Sequence, residues 1–143
     1  MAQLHRSVVT LRILGDDLDP AEISALLGGT PTASRRKGDV FKHRTAKFGL
    51  WRLSASDREP ENLDAQIEEI LDKLSPSLDV WRSIAARYKI DLFCGLFMHE
   101  SNEGLYISPA SLAALGQRGI LLGLDIYSPT IEELQAQQAL YQQ

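Results

Sequence analysis

Residues 7–28, SVVTLRILGDDLDPAEISALLG, decide the fold. Val9, Leu11 and Ile13 alternate with Val8, Thr10 and Arg12, the two-residue period of a strand, and its richness in Val, Leu and Ile predicts a largely buried one. Gly15-Asp16-Asp17 breaks that period. Asp19-Pro20-Ala21-Glu22 then places a carboxylate at the N-cap, proline at the first helical position, where no N–H is required, and glutamate at N3. A helix starts here, with Ile23, Leu26 and Leu27 as its apolar face. Gly28-Gly29 ends it, because a residue without Cβ enters the left-handed region freely, and Thr30-Pro31-Thr32 prevents it from resuming.

The same switching between periods runs down the chain. Ala33 to Lys47 is polar and basic, either a long loop or a loop holding a short strand around Asp39 to His43, and Phe48 to Ser56 is a strand with Trp51 and Leu53 on one face and Leu50 and Arg52 on the other. Leu63, Ile67, Ile70, Leu71 and Leu74 draw one helical stripe; after Ser75-Pro76-Ser77, Leu78, Trp81, Ile84, Ala85 and Tyr88 draw a second. Lys89 to His99 is apolar on both faces, as a central strand should be. Leu105 to Ile107 is expected to pair back as a short strand. Ser108-Pro109 opens a helix that buries Leu112 and Leu115, and Ile120 to Tyr127 is a further, nearly continuously apolar strand. The glutamine-rich tail from Thr130 is weakly helical and stays outside the core.

This order predicts an α+β fold: a two-layer sandwich, a ferredoxin-like sheet covered on one face by helices. The run PAEISALLG at 20–28 is echoed by PASLAALG at 109–116, either an internal duplication or two helices capped alike. With 143 residues, 44% of them hydrophobic and 24% charged, the expectation is one domain, its core spanning about residues 7–127 and a tail over 128–143. A chain of this size buries enough surface to need no disulfide or metal, and the single Cys94 fits a reducing, cytoplasmic setting. Met1 to Thr10 holds His5 and Arg6 and no long apolar run, which predicts neither a secretory signal nor a membrane association.

Several short motifs form a set: Gly15-Asp16-Asp17-Leu18-Asp19-Pro20, Leu27-Gly28-Gly29-Thr30-Pro31, Lys37-Gly38, Gly49-Leu50-Trp51, Leu105-Tyr106-Ile107-Ser108 and Asp125-Ile126-Tyr127. In these the chain resembles the bacterial domain-of-unknown-function 4279 family, from about Ser7 to Tyr127. The resemblance implies a small stand-alone bacterial α/β domain and carries no activity, substrate or catalytic residue.

Charge is unevenly spread. Between Arg35 and Arg52 seven cations (Arg35, Arg36, Lys37, Lys42, Arg44, Lys47, Arg52) face one anion, Asp39, while the rest holds eight cations and eighteen anions; the net −4 therefore divides into +6 and −10. Such asymmetry creates a local field that steers anionic partners. The candidate binding residues are Arg35, Arg36, Lys37, Lys42, Arg44, Lys47 and Trp51, the arginines suited to phosphate or carboxylate and Phe41, Phe48 and Trp51 offering stacking surfaces. The alternative is a solvated loop whose cations balance the acidic helix from Asp64 to Asp72, with Phe48 and Trp51 in the core. Backbone N–H groups between Thr30 and Gly38 are a further anion-binding possibility, although no GxxxxGKS or GxGxxG pattern occurs.

Catalytic signals are weaker. His5, His43 and His99 lack metal-ligand spacing, and His99, Glu100 and Glu103 suit a surface turn. No metal or other cofactor is expected. Cys94 lies mid-strand among Leu92, Phe93 and Leu96, where a thiol behaves as a small hydrophobe. Asp125 interrupts an apolar run and is a candidate general acid or base paired with Asp91; a strand-edge position with an ordinary hydrogen bond is the simpler account. The functional expectation is a cytosolic binding domain that recognises an acidic protein through its basic loop. A nucleic-acid or phosphometabolite binder using the same loop is the alternative, and an enzyme comes third.

Overall fold

The computed structural model describes residues 2–142. Strand β2 (Arg6–Gly15) is the middle of a five-stranded sheet, antiparallel to β6 (Gly49–Ser54) on one side and to β7 (Lys89–Phe97) on the other. The edges are β3 (Ala33–Arg35), antiparallel to β6, and β9 (Leu121–Tyr127), parallel to β7, which gives the order β3-β6-β2-β7-β9. Alternation in β2 divides its side chains as the sequence requires. Val9, Leu11 and Ile13 are fully buried, and register places Trp51, Leu53, Ile90, Leu92, Cys94 and Leu96 on the same face.

Four helices cover that face: α1 (Pro20–Leu27), α2 (Leu63–Leu71), α3 (Leu78–Ala85) and α4 (Pro109–Gln117). Ile23 and Leu27, then Leu63, Ile67 and Ile70, then Trp81 and Ile84, and finally Leu115 join the strand residues in one core cluster. Each fully buried aliphatic side chain contributes about 1.5–3 kcal/mol, so the helix layer is held by its apolar stripes rather than by intrinsic helicity. Side-chain caps mark the starts, with Asp19 accepting from the N–H of Ala21, Asn62 from Ala65, Ser77 from Val80 and Ser108 from Ser111. The α+β sandwich is as expected. The helix α5 (Ile131–Tyr141), with a capping box between Thr130 and Glu133, buries none of its residues.

The echoed sequences occupy comparable places. Strand β3 is antiparallel to β6, which is antiparallel to β2, so α1 links two parallel strands with β6 between them; α4 links the adjacent parallel pair β7 and β9. Both copies are therefore crossover helices.

Two local expectations are corrected and a third is extended. The short strand after the 101–104 turn is β8 (Glu103–Gly104), not Leu105 to Ile107, and it pairs in parallel with β1 (Ala2–Gln3); Leu105 and Ile107 instead pack against the core from outside any strand. Leu112 is 50% exposed, because α4 turns Ser111 and Leu115 inward and Ser111 is held there by Asp64. The segment from Ala33 to Lys47 holds the short strand expected around Asp39 to His43 as β4 (Val40–Phe41), and besides it a hairpin partner, β5 (Arg44–Thr45), and the edge strand β3.

Candidate functional site: a cationic hairpin at one edge of the sheet

Between β4 and β5 only Lys42 and His43 remain, and both have positive φ, 46° and 64°. A two-residue turn of this sense matches the twist of its strands but favours Asn-Gly, so each of these side chains carries a strain of about 1–3 kcal/mol. The base of the hairpin is closed by backbone bonds from Gly38 N–H to Ala46 O and from Ala46 N–H to Asp39 O, both 2.8 Å. The carboxylate of Asp39 accepts from the N–H of Arg36 at 2.9 Å. Two ion pairs tie the segment to the turn before α1: Arg36 with Asp19 at 2.8 Å and Lys37 with Asp16 at 3.4 Å.

These contacts sort the seven cations. Arg36 and Lys37 are anchors, and their partners are Asp19 and Asp16 rather than the acidic helix α2. Arg35 lies over the ring of Phe41 at 3.9 Å, and Lys42 approaches the same ring at 5.3 Å. Among the described residues, no carboxylate comes within 4.0 Å of Arg35, Lys42, Arg44, Lys47 or Arg52. Arg35, Arg44 and Lys47, with Phe41 and Phe48, line an open groove of ≈ 320 Å³. Phe41 and Phe48 are 40% and 47% exposed.

Trp51 does not belong to this groove. It is fully buried on the helix-facing side of β6, and its indole N–H donates to Ser24 Oγ at 3.0 Å, so it offers no stacking surface. The period-two pleat that puts Arg52 on the opposite face of the sheet turns Trp51 inward.

A family model described as a domain of unknown function, DUF4279, matches residues 3–129. The chain belongs to the DUF4279 family. No curated protein and no solved structure matches it. The DUF4279 match runs from β1 to just beyond β9, so it takes in the whole hairpin and leaves α5 outside.

Elsewhere in this DUF4279 domain the candidate chemical groups are already engaged. The N–H groups of the Thr30–Gly38 stretch do not form an open cradle: Thr32 donates to Arg52 O, Arg36 to Asp39 and Gly38 to Ala46 O. Burial, reinforced by the charge of Asp91, pushes the Cys94 thiol up to about 12, far from a nucleophile's range. Asp91 is buried and held by Arg12 through two bonds, 2.8 and 2.7 Å, and is therefore not the partner of Asp125. Asp125 lies opposite Gly95, four register rows from Asp91, and accepts from Tyr127 Oη at 2.6 Å, and that bond holds the tyrosine hydroxyl above its ordinary pKa. The His99 and His5 rings meet at 5.0 Å, tilted by 33°, and no group of three metal-ligating side chains occurs among the described residues.

One surface escaped the sequence reading. On the sheet face turned away from the helices, Arg12 lies over Phe93 at 4.7 Å and Arg6 over Phe97 at 4.9 Å, while Phe97 stacks on Tyr127 at 4.7 Å. The signal was present in the even-numbered arginines of β2, but their cross-strand partners lie more than 80 residues away.

Proposed function

We propose that the protein is a cytosolic bacterial binding domain, without catalytic activity of its own, that takes an acidic protein segment carrying an apolar side chain into the groove beside the β4–β5 hairpin. The observation that carries this reading is the meeting of Arg35, Arg44 and Lys47, none with a carboxylate partner among the described residues, around exposed Phe41 and Phe48. Guanidinium and ammonium groups pair with carboxylates, and the exposed parts of Phe41 and Phe48 offer apolar surface to a side chain of the segment. The anchors Arg36 and Lys37 support it, because a hairpin tied to the body loses less conformational entropy on binding than a free loop. No helix among the described residues is long and apolar enough to cross a membrane.

A single-stranded nucleic acid is the second reading, favoured by the arginines and rings on the open sheet face. It ranks lower because Arg12 is committed to Asp91, and the rings of Phe93 and Phe97 are already covered by Arg12, Arg6 and Tyr127. Binding of fluorescent acidic peptides with a central aromatic residue, beside an oligonucleotide of single-stranded RNA, separates the two. The expected result is peptide binding that weakens with salt and is lost in the Arg35→Ala, Arg44→Ala, Lys47→Ala triple variant. Peptide binding indifferent to those changes overturns the groove. RNA binding lost with Arg12→Ala and Arg52→Ala transfers the function to the open face.

A further inference from the structure

The two edges of the sheet differ in kind. Strand β3 is three residues long and carries Ser34 and Arg35 just after Pro31, so little of its edge is open to another strand. Strand β9 is seven residues long, LLGLDIY, with no proline or lysine, and among the described residues it pairs with β7 alone. Leu121, Leu124, Ile126 and Tyr127 are 59%, 45%, 59% and 44% exposed. An edge that long, apolar and unguarded is a template for another strand.

Hydrogen-bond directions identify the groups left open. The carbonyl of Tyr127 accepts from the N–H of Met98, so it points toward β7. Backbone direction alternates along a strand, which turns Leu122, Leu124 and Ile126 outward with both N–H and C=O free of the ladder. Water satisfies this row in the isolated chain, and an added strand satisfies it with its own backbone groups.

We propose that β9 is a self-association edge: a second copy of this chain adds its β9 antiparallel about a two-fold axis at Leu124, joining two five-stranded sheets into one. The register follows from three constraints. Outward residues must meet outward residues, so the axis passes through a residue and not between two. An axis at Asp125 would set two carboxylates directly opposite each other, which destabilises the pair. An axis at Leu124 uses the full strand and opposes Leu121 to Tyr127, Leu122 to Ile126 and Gly123 to Asp125, with no like charges facing. On the helix side, Leu122, Leu124 and Ile126 of both copies then form a continuous apolar seam. Such a self-complementary patch is what a two-fold interface requires. The basic hairpins lie beyond the opposite edges and remain free.

Light scattering and sedimentation of the full chain across the micromolar range test the proposal. The expected mass is that of two chains, with Leu124→Lys shifting it to one by weakening self-association at least about 30-fold, as removal of a central contact does. Circular dichroism and thermal melting establish that the variant is folded. Leu124→Cys supplies an independent reading, since facing Cα atoms of a hydrogen-bonded pair stand about 5.5 Å apart, within disulfide reach. It should give a covalent dimer under mild oxidation, whereas Val40→Cys on the distant hairpin should not, and Cys94 is too buried to interfere. A chain that remains monomeric into the millimolar range, a dimer indifferent to Leu124→Lys, or cross-linking no faster at 124 than at 40 overturns it.

Discussion

Trp51 shows how one polar atom disciplines a core position. Its indole is wholly buried, yet its N–H reaches Ser24 Oγ on α1, so strand and helix are joined by a directional bond as well as by apolar contact. Ser24→Ala leaves that N–H without its acceptor and should cost about 1–3 kcal/mol in urea unfolding. Adding Trp51→Phe should bring a smaller further loss than the same change made alone, because its polar penalty has already been incurred. Trp51 was readable as either core or ligand surface, since the strand period assigns it to a face without saying which face is covered. Cys94 was easier: a thiol among leucines in an apolar strand is buried in nearly any packing, and it is buried here.

At the scale of elements, the joint between α2 and α4 has a pH signature. Ser111 Oγ donates to Asp64 at 2.7 Å and the N–H of Ser108 donates to the same oxygen at 3.0 Å. The Ser111 bond, with help from Ser108 and against partial burial, holds the Asp64 carboxyl below its ordinary value of 3.8. A carboxyl depressed in the folded state stabilises fully above its unfolded pKa and loses that contribution as pH falls through its folded one. Ser111→Ala should therefore lower stability by about 1–2 kcal/mol at neutral pH. The gap in thermal midpoint from the parent should narrow as pH drops below the ordinary aspartate range; a gap constant with pH would place the loss elsewhere. The sequence marked Ser108-Pro109 as a helix start, but the choice of Ser111 over Leu112 as the inward residue came from a carboxylate 47 positions away.

Across the whole molecule, charge and apolar exposure lie toward opposite ends of the sheet. The cationic hairpin extends the β3 side, and the exposed leucine and isoleucine of β9 form the other boundary. Helix α5 follows β9, buries none of its residues, and touches the body through such contacts as Gln137 with the His99 carbonyl. Truncation after Ser128 should shift the thermal midpoint by less than about 4 °C, a difference near 1 kcal/mol for a chain of this size. A larger fall in a calorimetric scan would show that α5 supports the sandwich. The +6 segment was legible as arithmetic, whereas its division into two anchors and a set of cations free of carboxylates depended on where Asp16 and Asp19 came to rest.

What the sequence by itself determined is whatever depends on near neighbours: the periods of strand and helix, the cap at Asp19, the helix start at Ser108-Pro109, and the apolar alternation of β2. Those follow from local geometry and the burial of one apolar set, which a short window contains. Tertiary structure alone decided which apolar strand became an edge. Apolar residues on both faces marked Lys89 to His99 as a central strand, and it is one; residues 121–127 are similarly hydrophobic, and only strand order leaves them at the edge. The pairing of Arg12 with Asp91 and the retreat of Trp51 from the groove have the same origin, because both depend on which distant strand face meets the helix layer.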